Sequence, residues 1–206
     1  MTTPNWFLDE LVHAGDEHLD STYVPGYDHK AGTDPADDLA VLRELGLNAT
    51  HTLVDLGAGT GTFALAAAAF CRRVIAVDVS PVMLGLLRQK AAQTGIGNIE
   101  FVQRGFLSYE HHGDPADFVY SRHALHHLPD FWKVLALERV AAMLKPGDIF
   151  YLRDLIFSFA PDETKSVIDN WLANASETSD KGWTRAELLT HLQTLCLNRC
   201  WKKQAS

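Results

Sequence analysis

The sequence predicts an α/β protein, a doubly wound and mostly parallel sheet with helices on both faces. Two stretches carry that prediction. In Thr52-Leu53-Val54-Asp55-Leu56-Gly57-Ala58-Gly59-Thr60-Gly61-Thr62-Phe63, β-prone residues end in an acid and glycines follow at every second position. The Ala-rich run from Phe63 to Phe70 then has the composition of a helix. In Arg73-Val74-Ile75-Ala76-Val77-Asp78-Val79-Ser80-Pro81, a second run of apolar β-formers ends in an acid and passes into a helix start, with Ser80 as cap and Pro81 in the first turn.

Residues 1–48 precede the first strand and are expected to form a helical or lid segment. Residues 49–206 then make the sheet core with a short helical tail, one domain overall. Trp6, Leu8, Leu11 and Val12 fall at roughly helical spacing and predict a short amphipathic helix over Asn5 to His13. Ser21 to Asp37 carries Pro25, Gly26, Gly32 and Pro35 and reads as a loop, with Tyr23 and Tyr27 in it. Asp37 to Leu45 reads as a helix stopped by Gly46.

Glycines at 57, 59 and 61 bare the main chain so that a ligand can approach it at a helix N-terminus. A dinucleotide site needs G-x-G-x-x-G, and here Thr62 stands where the third glycine would be. Asp78 lies at the tip of the next strand, where folds of this type set an acid against ribose hydroxyls. The plainer reading makes it a dipole partner for the following helix.

Pro81 to Thr94 is an amphipathic helix ending at Gly95, and Met83 in it is either core filler or a ligand contact. Ile99 to Gln103 is the third strand and Ala116 to Ser121 the fourth. Because the carboxyl ends of parallel strands form the crevice of such sheets, Ser121 through His127 should line it. Asp130 to Met143 is a helix, Leu144 to Asp148 a turn, and Ile149 to Leu152 the fifth strand. Pro161 to Ala173 and Thr184 to Thr194 read as two more helices, the second opened by a Thr184–Glu187 capping box. Leu195 to Ser206 can supply one further strand at most.

Composition narrows the function. At 206 residues and 47% hydrophobic content the chain can bury one sizeable core. A formal charge of −8 disfavours nucleic acid or an anionic membrane as partner and favours a small molecule. Asp9 and Glu10 stand where a signal peptide needs basic and then apolar residues, no run reaches membrane-spanning length, and three cysteines suggest reduced thiols, so a cytoplasmic protein is expected. His123, His126 and His127 lack an accompanying carboxylate or cysteine at ligand spacing, and His191, Cys196 and Cys200 lack a fourth ligand, so no metal is expected.

The run D-x-G-x-G-x-G from Asp55 to Gly61 resembles motif I of the class I S-adenosylmethionine-dependent methyltransferases. Ala124-Leu125-His126-His127-Leu128 is similar to the small-molecule subgroup that includes the quinone-methylating enzymes. The resemblance implies a Rossmann-like fold, S-adenosyl-L-methionine as cofactor and a small-molecule acceptor. It implies Asp55 near the methionine amine and Gly57, Ala58, Gly59 and Gly61 along the cofactor; with that turn upstream, Asp78 is expected at the ribose, Val79 beside the cofactor, and Met83, where it is not core filler, at the adenine. It places a carbonyl near Ser121 at the amine as well. Family members commonly carry Gly-Asp where this chain has Gly105-Phe106, so backbone near Gly105 and the Phe106 ring are expected to replace that acid at the adenine. Tyr23, Tyr27 and His127 would face the acceptor, and His126 is either a general base or a structural residue at a helix start.

Ser121 stands where metal-dependent catechol-type members need an acid, and Ser121 to Ala124 do not match the base clamp of amino-methylating DNA enzymes. Asp148 replaces the second glycine of the usual Leu-Lys-Pro-Gly-Gly, which demands tolerance of positive φ there. The C-terminal antiparallel hairpin usual in the family is expected to be incomplete, leaving a sheet edge through which a homodimer would form. Three readings stay open: a methyltransferase, a catalytically impaired binding or regulatory protein that depends on a partner, and a nicotinamide-dependent oxidoreductase, disfavoured by Thr62.

Overall fold

Among the described residues five strands, β1 (Thr52–Leu56), β2 (Arg73–Asp78), β3 (Ile99–Gln103), β4 (Ala116–Arg122) and β5 (Leu144–Arg153), form one sheet in the order β3-β2-β1-β4-β5. Every pairing is parallel. The structure is a computed structural model that describes residues 4, 6–15, 18–20, 27–28, 34–154, 159–178 and 183–197, without the side chains of 191 and 193–197. Its helices are α1 (Ala36–Glu44), α2 (Thr62–Ala67), α3 (Pro81–Thr94), α4 (Asp130–Met143), α5 (Thr164–Ala173) and α6 (Arg185–Leu197).

The two-residue period of the strands divides the core. Leu53 of β1 and Val74 and Ala76 of β2 join Leu42, Phe63, Leu84 and Leu87 on one face. Val54, Leu56, Ile75 and Val77 join Phe106, Val119, Val140 and Met143 on the other. Burial on both faces is what allows the central strands to be nearly all apolar, and it makes the sheet doubly wound. Strand order reverses between β1 and β4, so a crevice opens beyond their carboxyl ends.

Local signals place several elements end to end. Ser80 accepts from the Met83 amide at 3.1 Å, Pro81 opens α3 and Gly95 closes it at φ 70°. The capping box forms, with the Glu187 carboxylate accepting from the Thr184 amide at 2.9 Å. α2 stops at Ala67, earlier than its composition suggests, and the Asn98 amide then takes the carbonyls of Ala68 and Cys71 at 2.9 and 3.0 Å.

Other expectations are corrected. The described part of Asn5 to His13 is not a helix but successive turns, closed by Phe7 on Pro4 and His13 on Glu10. Its apolar residues share no face, since Phe7 packs edge-on to Trp132 while Trp6 and Val12 stay exposed. β5 begins at Leu144 rather than Ile149, and its register against β4 shifts between Ala116 and Phe118. Positive φ falls on Gly147 and not on Asp148, whose carboxylate accepts from the Lys145 amide at 2.8 Å. Thr164, not Pro161, opens α5, while α6 runs on to Leu197. The described residues contain no antiparallel hairpin, and residues 198–206, with Cys200, lie outside them.

α1 is bolted to the sheet through Asp38, 1% exposed. Its carboxylate accepts from the Tyr120 and Tyr151 hydroxyls at 2.8 and 3.1 Å and pairs with Arg153 at 3.0 Å and Arg122 at 3.3 Å. Burial pushes this carboxyl up, but the hydrogen bonds from Tyr120, Arg153 and Tyr151 outweigh it and hold the group below the ordinary carboxylate range.

Candidate cofactor and acceptor site

A cavity of about 350 Å³ lies over the carboxyl ends of the central strands. Asp55, Gly57, Ala58, Gly59, Asp78, Val79, Met83, Gly105, Phe106, His126, Tyr27 and His127 of the sequence reading all line it. Gly61 and Ser121 do not, and Tyr23 lies outside the described residues.

The glycine turn is drawn onto β2 by the Gly57 and Ala58 amides, which donate to the Val77 carbonyl at 2.8 and 3.0 Å. Gly59 has φ 55°, and a Cβ built on it would meet nothing within 4 Å. Gly61 is different: at φ 82°, its Cβ would sit 1.8 Å from Leu87 Cδ1. It lets α2 pack on α3 rather than facing a ligand. Gly61→Ala should therefore cost about 2–5 kcal/mol of folding stability, from left-handed backbone plus overpacking, as read by urea unfolding. Gly59→Ala should cost about 1–2 kcal/mol, the backbone part alone, yet weaken ligand binding by placing a methyl group on the bared turn.

Asp55 is 2% exposed, and its Oδ2 has no hydrogen-bond partner among the described residues. Burial, reinforced by the Asp78 charge, pushes its carboxyl well above the ordinary range. An ammonium beside it would supply both a donor and a countercharge. Asp78 Oδ2 accepts from the Gly59 amide at 2.7 Å and Oδ1 from the Ser80 amide at 2.8 Å. Burial raises its pKa, against the lowering effect of those two amides and of His18. Asp78 thus ties the glycine turn to the start of α3 and still keeps acceptor capacity, because a carboxylate offers about four lone-pair sites.

The loop after β3 has no acid of its own, but Glu10 brings one. Its oxygens accept from the Leu107 amide at 3.0 Å and the Ser108 hydroxyl at 2.8 Å, and a Cβ on Gly105 would fall 2.3 Å from Glu10 Oε1. Glu10 lines the cavity beside Gly105 and Phe106, whose ring also belongs to the core. Asp28, next to Tyr27, contacts Thr60, Thr62 and Lys90 and so pins the described part of the N-terminal segment to the glycine turn.

The opposite wall comes from the end of β4. Ser121 is fully buried, with no partner for its Oγ among the described residues, so its side chain lies beneath the cavity surface rather than in it. His123 is the one non-glycine residue with positive φ, 52°, among the described residues, and its amide donates to Arg153. The short 3-10 turn Leu125–His127 presents His126, whose Nδ1 lies 2.5 Å from Asp154 Oδ1, while its amide donates to Oδ2 at 2.9 Å. His18 sets its ring edge-on to both Tyr27 and His127, with centroids 5.3 Å away. Among the described residues no group of three or more His, Cys, Asp or Glu is placed to hold a metal ion.

Glu10, His18, Asp28, Asp154 and Trp183 are absent from the sequence reading of the site, and Arg122 entered it only within the Ser121 to His127 run. Each reaches it through tertiary packing and carries no local motif; only Arg122, within the run leading to the histidines, had a signal, in its place at a strand end.

The methyltransferase domain family matches residues 53–147. The uncharacterized methyltransferase YrrT of Bacillus subtilis is 30% identical over 159 residues, which cover 74% of this chain and 68% of that protein. The chain belongs to the class I S-adenosylmethionine-dependent methyltransferases. A second methyltransferase of this group, YcgJ of Bacillus subtilis, also uncharacterized, is 28% identical over 168 residues, and the match takes in 82% of this chain but only 64% of YcgJ. The crystal structure of YcgJ superposes with a TM-score of 0.54 at 26% identity, covering 79% of this chain and 68% of that one. The DhpI–S-adenosylhomocysteine complex shares the fold, with a TM-score of 0.57 at 22% identity over 90% of this chain and 86% of that chain. Class I methyltransferases take their methyl group from S-adenosylmethionine, and the Asp55 oxygen without a partner among the described residues and the open Gly59 surface fit such an aminoacyl nucleoside. Among the described residues no helix is long and apolar enough to cross a membrane.

Proposed function

We propose that the chain methylates a small organic acceptor inside this cavity, with residues 1–48 as its cover and residues 49–206 as its core. The observation that carries the reading is the alignment of Asp55, Gly59 and Asp78 across the ends of β1 and β2. Asp55 would hold the amine, the bared turn from Gly57 to Gly59 the middle of the cofactor, and Asp78 the ribose hydroxyls. The base would lie between Met83, Val79 and the Gly105–Phe106 loop, where Glu10 offers the carboxylate that position 106 lacks. Tyr27, His126, His127 and Trp183 then face the acceptor.

When bound, the cofactor supplies a methyl carbon on a positively charged sulfur. The chain's own task is to align the acceptor with that carbon and keep water out, since charge is lost rather than created in the displacement. Incubation of the chain with methyl-labelled S-adenosylmethionine and a low-molecular-weight cell extract should move label into a small molecule, with S-adenosylhomocysteine formed in equal amount. Label transferred only to macromolecules, or none transferred although S-adenosylhomocysteine binds, would contradict the reading.

A further inference from the structure

The loop after β3 starts beside Asp78, because the Arg104 amide donates to the Asp78 carbonyl at 3.1 Å. Its next two residues bring no polar side chain to the cavity: Gly105 has none, and the Phe106 ring belongs to the core cluster of Ile75 and Val77. The acid at this place is Glu10, which stands 97 residues before Leu107. Its carboxylate lies where a side chain at position 105 would begin, and only glycine leaves that room. Oε1 is held by the Leu107 amide and Oε2 by the Ser108 hydroxyl, and two such bonds do not exhaust a carboxylate, which has about four lone-pair sites. Burial still pushes the Glu10 carboxyl above its ordinary value, against the lowering effect of hydrogen bonds from Leu107, Ser108 and Phe106. A further donor reaching it from the cavity would stabilise the charged form.

We propose that Glu10 reads the base of the cofactor: its carboxylate accepts from the 6-amino group of adenine and makes the site select an adenine nucleoside over a 6-oxo purine nucleoside. This rests on the cofactor reading of the cavity, in which Asp78 takes the ribose. From a ribose at the tip of β2, the glycine turn after β1 occupies one direction, so the base extends over β3 on the other side. There Val79, Met83 and Phe106 line the cavity and offer apolar surface to the flat faces of a purine, and Glu10 offers an acceptor to its edge. The faces of all purines are alike; only the edge tells them apart. A 6-amino group donates to a carboxylate, whereas a 6-oxo group sets acceptor against acceptor. Because Leu107 and Ser108 hold both oxygens, the carboxylate is not free to turn away from the wrong base.

The test is a ratio of affinities, measured by calorimetry on the full chain with S-adenosylhomocysteine and with its deaminated counterpart S-inosylhomocysteine. The wild type should prefer the adenosyl compound by about ten- to a hundredfold, as expected of one hydrogen bond to a charged group. Glu10→Ala should bring that ratio to within about twofold of unity. Gly105→Ala reaches the same group by another route, since its Cβ would fall 2.3 Å from Oε1 and the end of a flexible side chain is what must give way. With the carboxylate displaced, the ratio should fall about threefold or more. A role confined to bracing the loop would weaken both compounds alike, so an unchanged ratio in both variants, or a wild type that binds the two compounds equally, overturns the proposal. Should Glu10→Ala fail to fold, the ratio in Gly105→Ala decides. Failure of the unmodified chain to bind either compound overturns the cofactor reading itself, and the proposal with it.

Discussion

Asp78→Ala should weaken S-adenosylhomocysteine binding by about a hundredfold or more. Hydrogen bonds to a charged group are worth about 1.5–3 kcal/mol each, so losing two ribose hydroxyl contacts removes about 3 kcal/mol or more. The substitution also releases the Gly59 and Ser80 amides, which Asp78 now holds at 2.7 and 2.8 Å, and so loosens the turn on which the ligand lies. Asp78→Asn keeps the shape but gives up the charge and one acceptor, so its loss should fall between alanine and wild type. An affinity for Asp78→Ala within threefold of wild type, measured by calorimetry, would mean that the carboxylate serves only to anchor the turn and α3.

Asp38→Ala should cost about 3 kcal/mol of folding stability in urea titration, near the lower end for breaking a buried ion pair because Arg153 is half exposed and contributes little. What is lost is the pairing of Arg122 and the two tyrosine hydroxyls that Asp38 satisfies. Asp38→Asn, which retains an acceptor oxygen, should lose less. A loss below about 1 kcal/mol would place α1 outside the cooperative core. The pH dependence carries a sign. Asp38 has its carboxyl held below the ordinary value, so its contribution is present above the ordinary carboxylate pKa and fades as the pH falls through the depressed one. Asp55 runs the other way: its raised pKa makes its contribution full in acid and lost as the pH rises through the folded value. Asp55→Asn should therefore gain stability relative to wild type with rising pH, at the expense of the amine contact.

What could be read from the chain in advance was whatever local chemistry decides. α3 matched end to end because Ser80, Pro81 and Gly95 mark it, β3 because its apolar run is bounded by turn residues, and α4 on its helical apolar period, although strand β5 follows it directly where a turn was expected. The place of Asp55, Gly57, Gly59 and Asp78 along the cavity was legible for the same reason: strand tips and glycine turns have a fixed spacing. Gly61 was assigned to the ligand by that spacing, but the approach of Leu87 from α3 decides its role, and no local pattern shows it. The N-terminal helix failed because Phe7 and Glu10 are drawn to separate partners, Trp132 and the 105–108 loop, which breaks the shared face that the spacing implied. Asp154 was out of reach in the same way, since only the pairing of β4 with β5 carries it to His126.

Calorimetric titration of the unmodified chain with S-adenosylhomocysteine, and separately with NAD, tests the groove most directly. One saturable site for the first and none for the second is the result required of Asp55, Gly59 and Asp78 acting together on an aminoacyl nucleoside. Heat from NAD alone, or from neither compound, would contradict it.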